Sequence, residues 1–403
     1  MPLDTGDTSF MLVATALVMI MTPGLAFFYG GLVSRKNVLA IMMQSYVSMG
    51  VSTILWVAVG YSLCFSGDVG GMGIIGNLDM AFLRGIEVTD LGGLNDTIPL
   101  LLFVVYQMMF AIITPALITG AFANRITFKA YLIFLVAWQI LVYYPFVHMI
   151  WGGGMLADWG VLDFAGGIVV HALAGMAALA SVIYVGKRGV EDAGAHNVPF
   201  VAIGAALLWF GWFGFNAGSE LAVDGVTAVA FINTQIAAAF AAITWLLLAW
   251  HYDGKPSFVE MLIGMIAGLA TITPAAGFVS PQSAMLIGVA AGAVCYFAVV
   301  FRKKKGLDDA LDVWGVHGVG GALGIIMLGV LASESIGGQN GLYHGNQDFF
   351  MVQLAGLALA CVWAFAFTYG MLMMIDMITP VRVTDEAEAA LDVTLHGESA
   401  YID

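Results

Sequence analysis

Residues 162–176 have the sequence LDFAGGIVVHALAGM, an apolar run with one imidazole, that of His171, inside it. An ionisable side chain at membrane depth is costly unless it faces protein or water, so His171 is a functional candidate. A second apolar run, VHGVGGALG, places His317 in the same setting, and each histidine is followed four residues later by a glycine, Gly175 or Gly321. Residues four apart share a helical face, and small residues let helices approach closely. The two runs are therefore predicted to hold their imidazoles against each other across a narrow lumen.

The composition is that of a polytopic membrane protein. The 403 residues are 61% hydrophobic and only 10% charged, with a mean hydropathy of +0.94, which soluble globular proteins do not reach. The net charge of −14 comes from acids that lie mostly in loops and the tail, so no nucleic-acid partner is implied. Cys64, Cys295 and Cys361 are isolated in apolar segments and are interpreted as buried thiols. We expect no metal site and no cofactor.

Eleven apolar runs are long enough to span a bilayer. They lie at about 9–32, 39–66, 98–122, 128–152, 166–186, 198–217, 228–251, 257–276, 283–301, 314–333 and 349–378. Basic residues follow the first, third, fifth, seventh, ninth and eleventh runs, and Arg84 alone falls on the opposite side. Positive charges favour the cytoplasmic side. The sequence therefore predicts a multi-pass protein of the cytoplasmic membrane, with its N-terminus outside and its C-terminus in the cytoplasm.

An odd number of spans suggests an inverted repeat of five helices plus one extra helix. The tripeptide Ile-Thr-Pro occurs in both the third and the eighth run, and the two histidines lie in the fifth and the tenth. We therefore predict an all-α transmembrane domain at 1–380, with repeats at about 9–190 and 198–333 and an extra helix at about 349–378. A cytoplasmic tail at 381–403 completes the chain.

Aromatic residues cluster near the predicted outer face. Trp151 lies at the end of the fourth run and is interpreted either as an aromatic-belt anchor or as part of a binding site. Tyr106 and Phe110 share one helical face of the third run, and residues 209–219 (WFGWFGFNAGS) combine rings with a hydroxyl that could bind a small cation. Asp163 precedes the fifth run, where its carboxylate either caps the helix or lends negative potential to an outer cation site. Both roles are compatible.

Six stretches resemble the Amt/MEP/Rh ammonium transporter family, and the resemblance is closer to the bacterial and archaeal Amt branch than to the Rh glycoproteins. They are TPGLAFFYGG at 22–31, HMIWGGG at 148–154, LDFAGG at 162–167, GWFGFNAGS at 211–219, TPAAGFV at 273–279 and DVWGVHGV at 312–319. Because they occur in the family's order along nearly the whole chain, chance agreement is negligible.

The resemblance implies a homotrimer with one pore per protomer and assigns a role to individual residues. It implies an outer substrate site at Trp151, Ser219, Phe110, Tyr106, Asp163 and Ala165. It also implies a gate of Phe110 and Phe215 above a pore that contains His171, His317, Trp212 and Thr273. Tyr106 departs from the family pattern, in which this vestibule position is often phenylalanine, but it keeps an aromatic face.

Elementary physics agrees with the implied activity. Ammonium is strongly hydrated, so taking it as an ion through an apolar lumen would cost far more than a few ring contacts return. Aromatic faces hold the cation at the mouth, a dry lumen favours loss of a proton, and neutral ammonia crosses cheaply. Potassium has no proton to lose and is excluded. Buried, neutral imidazoles can accept, relay or align the proton.

Three other functions stay open at this stage. The same fold can serve as an ammonium sensor, a carbon dioxide channel is a variant of the transporter, and an intramembrane oxidoreductase would use His171 and His317 as haem or metal ligands. No further intramembrane cluster of ligands supports the last of these, so we expect a transporter and not an enzyme.

The predicted cytoplasmic tail is acidic. The residues after 384 are interpreted as a solvated charge run, although HGE-SAY resembles the tail through which the family couples protomers and docks PII-type regulators. Four histidines, His196, His251, His344 and His396, fall in loops, at helix ends or in the tail and are expected to be solvated.

Overall fold

The computed structural model describes residues 2–93, 96–190 and 194–401, and nearly all of the regular secondary structure in them is helical. Ten helices are long and apolar enough to cross a membrane, and an eleventh apolar helix has 15 residues. In chain order they are α1 (Thr5–Leu32), α2 (Val38–Phe65), α3 (Leu100–Ile118), α4 (Phe128–Asp158), α5 (Gly167–Val185), α6 (Val198–Glu220), α7 (Gly225–Asp253), α8 (Phe258–Ile272), α9 (Pro281–Lys304), α10 (Trp314–Leu331) and α11 (Gln347–Asp376). The predicted fold class, an all-α polytopic membrane protein, is confirmed.

Polar residues set where the helices begin. The first-turn backbone N–H groups of a helix have no partner within the helix. In seven of the eleven helices, the side chain of the residue at the start accepts a hydrogen bond from one of these N–H groups. These residues are Asp4, Thr127, Asn197, Asp224, Ser257, Ser280 and Asn346. Inside a bilayer the remaining backbone groups must also pair internally, which continuous helices achieve.

The helix α8 is shorter than the predicted span of 257–276. It ends at Ile272, and turns follow to Ser280. Pro274 contributes to the difference, because proline lacks a backbone N–H and cannot continue the helical hydrogen bonds, although Thr273 before it keeps helical backbone angles. The 15 residues of α8 extend for about 22 Å. In α3 the matching Pro115 is kept within the helix, which ends three residues later.

Four helices contain a π-helical turn, and two of these turns carry the paired histidines. The turns are Trp56–Gly60, Gln139–Tyr143, Gly167–Ala172 and Trp314–Gly318. His171 lies in the third and His317 in the fourth. A π-turn rotates the side chains that follow it and is common at functional sites. The two halves of the inverted repeat thus present their histidines from the same local geometry.

The same pseudo-symmetry sets the helix packing. α1 lies along α6, and α5 lies along α10. Glycines make the first contact close: a Cβ on Gly31 would lie 2.6 Å from the carbonyl oxygen of Asn197, and one on Gly204 would lie 2.2 Å from the backbone nitrogen of Phe28. The extra helix α11 packs against α4, α5 and α10. The exact repeat boundaries stay predictions.

We name the two faces by the predicted orientation. The outer face carries the loop between α2 and α3, with a two-stranded antiparallel sheet, β1 (Leu91–Gly92) and β2 (Ile98–Pro99). The cytoplasmic face carries the tail, which contains α12 (Asp385–Glu388) and α13 (Leu391–His396).

Part of the acidic tail packs against the cytoplasmic face, so the expectation of a solvated charge run is wrong for these residues. Asp392 is 2% exposed and its carboxylate accepts a hydrogen bond from the Ala40 amide, at 2.9 Å, in the first turn of α2. Asn37 donates to the carbonyl of Glu388 at 3.0 Å. A carboxylate is favourable at a helix N-terminus, where backbone N–H groups are free.

His196 is likewise not a solvated histidine. Its Nδ1 lies 3.0 Å from the carbonyl oxygen of Val33, and its Nε2 lies 2.8 Å from the hydroxyl of Tyr401. The imidazole therefore joins the start of α6 to the end of α1 and to the tail. A single sequence does not reveal that three segments so far apart meet at one face.

Candidate functional site

The site is built where α5 and α10 cross at backbone contact. A Cβ added to Gly175 would lie 2.0 Å from the Cα of Gly318, and one added to Gly321 would lie 2.8 Å from the Cβ of His171. No side chain larger than hydrogen fits at either position. The glycine spacing noted in the sequence is therefore used for close helix packing around the histidines.

The imidazoles of His171 and His317 meet directly at this crossing. Their Nδ1 atoms are 3.2 Å apart, and the rings are nearly parallel with centroids 5.2 Å apart. Both side chains are buried, with 1% and 4% of their surface exposed. In a hydrogen bond between two Nδ1 atoms one must donate and the other accept, so the two neutral rings adopt opposite tautomers. The pair can therefore accept a proton on one ring and shift its shared proton in response.

The lumen beside the histidines is narrow and almost wholly apolar. Its cavity has a volume of about 10 Å³ and is lined by Met21, Leu25, Phe28, Tyr29, Ile113, Leu117, Val170, His171, Leu208, Trp212, Phe215, Ile266 and His317. Trp212 stacks on His171 at a centroid distance of 5.5 Å. Its indole N–H donates to the Thr273 hydroxyl at 2.9 Å, and that hydroxyl donates to the carbonyl of Leu269. Thr273 thus holds the indole in place without lining the lumen itself.

Two phenyl rings close the outer end of the lumen. Phe110 and Phe215 lie with centroids 4.4 Å apart, and both side chains are 1% exposed. Phe215 also stacks over His171 at 6.0 Å. The order from outside inward is therefore Phe110, Phe215 and then the imidazole pair. The two rings thus separate the lumen from the outer side in this conformation.

A wide vestibule of about 740 Å³ lies above the rings. The ring of Trp151 meets Phe110 edge to face at 5.9 Å, and its indole N–H donates to the Asp163 carbonyl at 2.8 Å. The Ser219 hydroxyl donates to the carbonyl of Phe215 at 2.9 Å and lies 3.3 Å from the hydroxyl of Tyr106. Phe110, Trp151, Asp163 and Ser219 of the predicted outer site thus line one cavity, whereas Tyr106 and Ala165 are fully buried and do not line it.

Asp163 organises the turn beneath this vestibule. Its carboxylate accepts four backbone N–H groups, those of residues 166–169, at 2.6–3.0 Å. Burial raises the pKa of Asp163 above its ordinary range even though these four bonds act in the opposite direction. Gly166 has a φ of +117°, which favours glycine, and Ala165 is completely buried beside it. All four bonds cap α5, so the sequence-based interpretation as a helix cap describes this geometry.

Asp309 is the counterpart of Asp163 in the second half of the chain and was not predicted from the sequence. Asp309 precedes His317 by eight residues, as Asp163 precedes His171, and it accepts the Trp314 amide at 2.7 Å. Burial, and then the neighbouring Asp312, raise the pKa of Asp309 to about 6. The equal spacing in the two halves was the signal that could have identified it.

His148 was also missed as a buried histidine. Its Nδ1 lies 2.9 Å from the carbonyl oxygen of Cys64, and its Nε2 lies 3.5 Å from the Asp68 carboxylate. These contacts join α4 to the outer end of α2. Within the described ranges, His, Cys, Asp and Glu side chains form no group of three or more that could hold a metal ion.

Comparison with known proteins agrees with this geometry. The model of the Ammonium Transporter Family matches residues 9–401. The chain belongs to the ammonium transporter family. The chain is 46% identical over 406 residues to an ammonium transporter of Bacillus subtilis (strain 168), a match that covers 100% of both chains. It is 43% identical over 403 residues to ammonium transporter Amt1 of Archaeoglobus fulgidus, covering 99% of this chain and 100% of that one.

Two solved structures are similar to this chain over nearly its whole length. The crystal structure of Candida albicans Mep2 matches with a TM-score of 0.90 at 33% identity, covering 99% of this chain and 93% of that one. A structure titled Sensor Amt Protein matches with a TM-score of 0.89 at 29% identity, covering 97% and 98%. Family membership confirms the resemblance seen in the sequence and supports ammonium transport across a membrane. It is also consistent with the expectation that the protein is not an enzyme.

Proposed function

We propose that this member of the ammonium transporter family recruits ammonium in the outer vestibule, removes a proton and conducts ammonia through the histidine-containing lumen. The observation that carries the proposal is the buried imidazole pair at the inner end of a closed aromatic passage, with Nδ1 atoms 3.2 Å apart. An isolated structural histidine would not need a symmetric partner, a π-turn in each helix and a lumen alongside.

The vestibule supplies what a small cation needs at the mouth of the pore. The faces of Trp151 and Phe110 each contribute about 1 kcal/mol of attraction, and the hydroxyl of Ser219 offers an acceptor at the same cavity. The four amides bound by Asp163 keep the loop beneath rigid. Tyr106 orients the Ser219 hydroxyl from the far side, at 3.3 Å. The outer site and the Phe110–Phe215 gate therefore lie beside helix ends that hydrogen bonds hold in place.

The lumen selects for the neutral species. The two imidazoles, the Tyr29 hydroxyl and the Trp212 indole N–H interrupt its apolar lining. The Tyr29 hydroxyl already donates to the Leu117 carbonyl, and the indole N–H donates to the Thr273 hydroxyl. An ion in such a medium loses its hydration without a counter-charge, which costs many kcal/mol. Ammonium avoids this cost by leaving its proton outside or on the imidazole pair, whereas potassium cannot. Selectivity then follows from proton chemistry rather than from ion size.

The imidazole pair is suited to handling that proton. With opposite tautomers, one Nε2 is an acceptor and the other a donor, so uptake on one ring and movement of the shared Nδ1 proton carry charge from one half-repeat to the other. Trp212, stacked on His171 and fixed by Thr273, prevents ring rotation. Whether the proton crosses with ammonia or returns outward decides whether transport carries net charge.

Topology and assembly belong to the same proposal. The basic residues that follow alternate helices support an outside N-terminus and a cytoplasmic tail. The repeat limits of about 9–190 and 198–333, a homotrimer and a PII-type regulator on the cytoplasmic face are predictions that family resemblance supports. Cross-linking of the purified protein and cysteine labelling from either side of a vesicle measure assembly and topology directly.

The test of the proposal is uptake of ¹⁵N-ammonium into proteoliposomes. We expect flux that saturates with ammonium, that potassium does not replace, and that falls at least tenfold in His171→Ala. The matched control is His251→Ala, a histidine at the end of α7 away from the lumen. Binding of ammonium without flux would instead favour a sensor, a role suggested by the similar structure titled Sensor Amt Protein.

A further inference from the structure

Glu220 is an acidic residue at the outer vestibule that the proposed transport pathway has not used. Residues Gly218–Glu220 form a 3₁₀ turn at the end of α6. The next residue, Leu221, has a φ of +57°, so the chain turns sharply and Glu220 stays beside the cavity. Its neighbour Ser219 is anchored to Phe215 and Tyr106, so the backbone that carries Glu220 is fixed.

The carboxylate of Glu220 faces the vestibule without a counter-charge. It makes no hydrogen bond or ion pair with any residue that the structure describes, although it is half-buried. The described residues that line the vestibule include no lysine and no arginine. Asp163 lines the same cavity, but its carboxylate is already bound by four amides. The third acid of the wall, Asp96, is exposed and therefore screened by solvent.

An unpaired carboxylate in a partly enclosed cavity attracts cations. Removing it from water raises its energy, and a cation in the cavity recovers part of that cost. At a separation of roughly 7 Å, a full charge changes the occupancy of a monovalent cation by a factor of about 3 at the dielectric constant of water and of about 50 at an effective dielectric constant of 20. Because the vestibule is partly open to solvent, we expect a factor between these limits, about five to ten. A point charge does not distinguish ammonium from potassium, so this attraction acts on both.

We infer that Glu220 is an electrostatic recruitment residue that concentrates monovalent cations in the vestibule before ammonium reaches Trp151 and Ser219. The inference rests on the proposed transport of ammonium. Two steps then occur at the outer end of the pore. Glu220 raises the local concentration of monovalent cations of any kind, and the aromatic rings and the loss of a proton further in select ammonium. Potassium therefore competes for the vestibule although it does not pass the gate.

The experiment compares Glu220→Gln with Glu87→Gln, the same change at an exposed carboxylate of the outer loop that does not line the vestibule. Ammonium flux and current of reconstituted protein are titrated with ammonium, at low and high concentrations of N-methyl-D-glucamine chloride, with and without potassium. For Glu220→Gln we expect a half-saturating ammonium concentration about five to ten times higher at low salt, with maximal flux within twofold of wild type. Glu220→Asp should recover most of the affinity.

Two further readouts separate attraction from a structural role. The difference between wild type and Glu220→Gln should shrink at high salt, and competition by potassium should weaken in the variant. An unchanged half-saturating concentration, or a change equal in Glu87→Gln or insensitive to salt, would overturn the inference while leaving transport intact. A wild-type protein without ammonium flux would overturn the proposed function, and this inference with it.

Discussion

Replacing Gly175 with alanine tests whether the close approach of α5 and α10 creates the histidine pair. The added Cβ would lie 2.0 Å from the Cα and 2.1 Å from the nitrogen of Gly318. Both are backbone atoms, so no side-chain rotation relieves the clash. Gly50→Ala is the matched control, because it introduces the same methyl group in α2 with no atom within 4 Å.

The size of the effect follows from the geometry. To restore an ordinary contact of about 3.4 Å, the two backbones must separate by about 1.4 Å at this point. Even half of that displacement lengthens the Nδ1 to Nδ1 distance of 3.2 Å between His171 and His317 beyond the hydrogen-bonding limit of about 3.5 Å. Overpacking should lower the free energy of unfolding by about 1–3 kcal/mol, and loss of the buried hydrogen bond should lower it by about the same amount again. The control should be neutral or stabilising by about 0.5–1 kcal/mol.

Two measurements follow. The midpoint of thermal unfolding in detergent should fall by several degrees in Gly175→Ala and stay at or above the wild-type value in Gly50→Ala. Ammonium flux per folded protein should fall at least tenfold in the first and be unchanged in the second. If Gly175→Ala matches the control in both midpoint and flux, then the histidine pair does not depend on backbone contact between α5 and α10.

Three further substitutions test groups around the pore. Burial, with the neighbouring carboxyl of Asp312, raises the pKa of Asp309 from 3.8 to about 6. The protonated carboxyl therefore stabilises the folded protein below pH ~4, and this stability is lost as the pH rises through about 6. The free energy of unfolding should change by about 3 kcal/mol over this range. Asp309→Asn should remove this pH dependence of the unfolding midpoint, and parallel profiles for wild type and variant would contradict it. Thr273→Val leaves the indole N–H of Trp212 unpaired and should lower the free energy of unfolding by about 1–3 kcal/mol. The double variant with Trp212→Phe should lose about 1 kcal/mol less than the sum of the two single variants. Strict additivity would show that the hydrogen bond is not formed. Asp163→Asn can accept at most two of the four amides, so we expect a loss of about 2–6 kcal/mol together with loss of ammonium flux, and unfolding at the wild-type midpoint would refute the capping role.

The membrane architecture could be predicted from the sequence because the thickness of a bilayer fixes how long an apolar run must be to span it. Every predicted run has a helix in the structure. The early end of α8 was not predicted, and Pro274 alone does not locate it, because the matching Pro115 lies inside α3. The glycines after each histidine indicated a close crossing, and the structure has backbone contact there. These features depend on short stretches of sequence, so they can be predicted without knowing the three-dimensional packing.

Features set by three-dimensional packing were beyond the sequence. The π-turns that rotate His171 and His317 toward each other have no residue signature, since both segments also satisfy ordinary helical rules. Docking of Asp392 on α2 and of Tyr401 on His196 joins segments more than 200 residues apart. The 4.4 Å spacing of Phe110 and Phe215 depends on the mutual rotation of α3 and α6. For these positions resemblance to a family supplied roles that the residues alone did not.

The most direct test of the account is the current that reconstituted protein produces on a solid-supported membrane after a jump in ammonium, with an equal potassium jump as control. We predict a sustained, ammonium-specific current that scales with protein density and is lost or altered in His171→Ala. A brief binding transient alone, with no ¹⁵N-ammonium uptake in the same vesicles, or a current unchanged in His171→Ala, would contradict transport through the histidine-containing lumen.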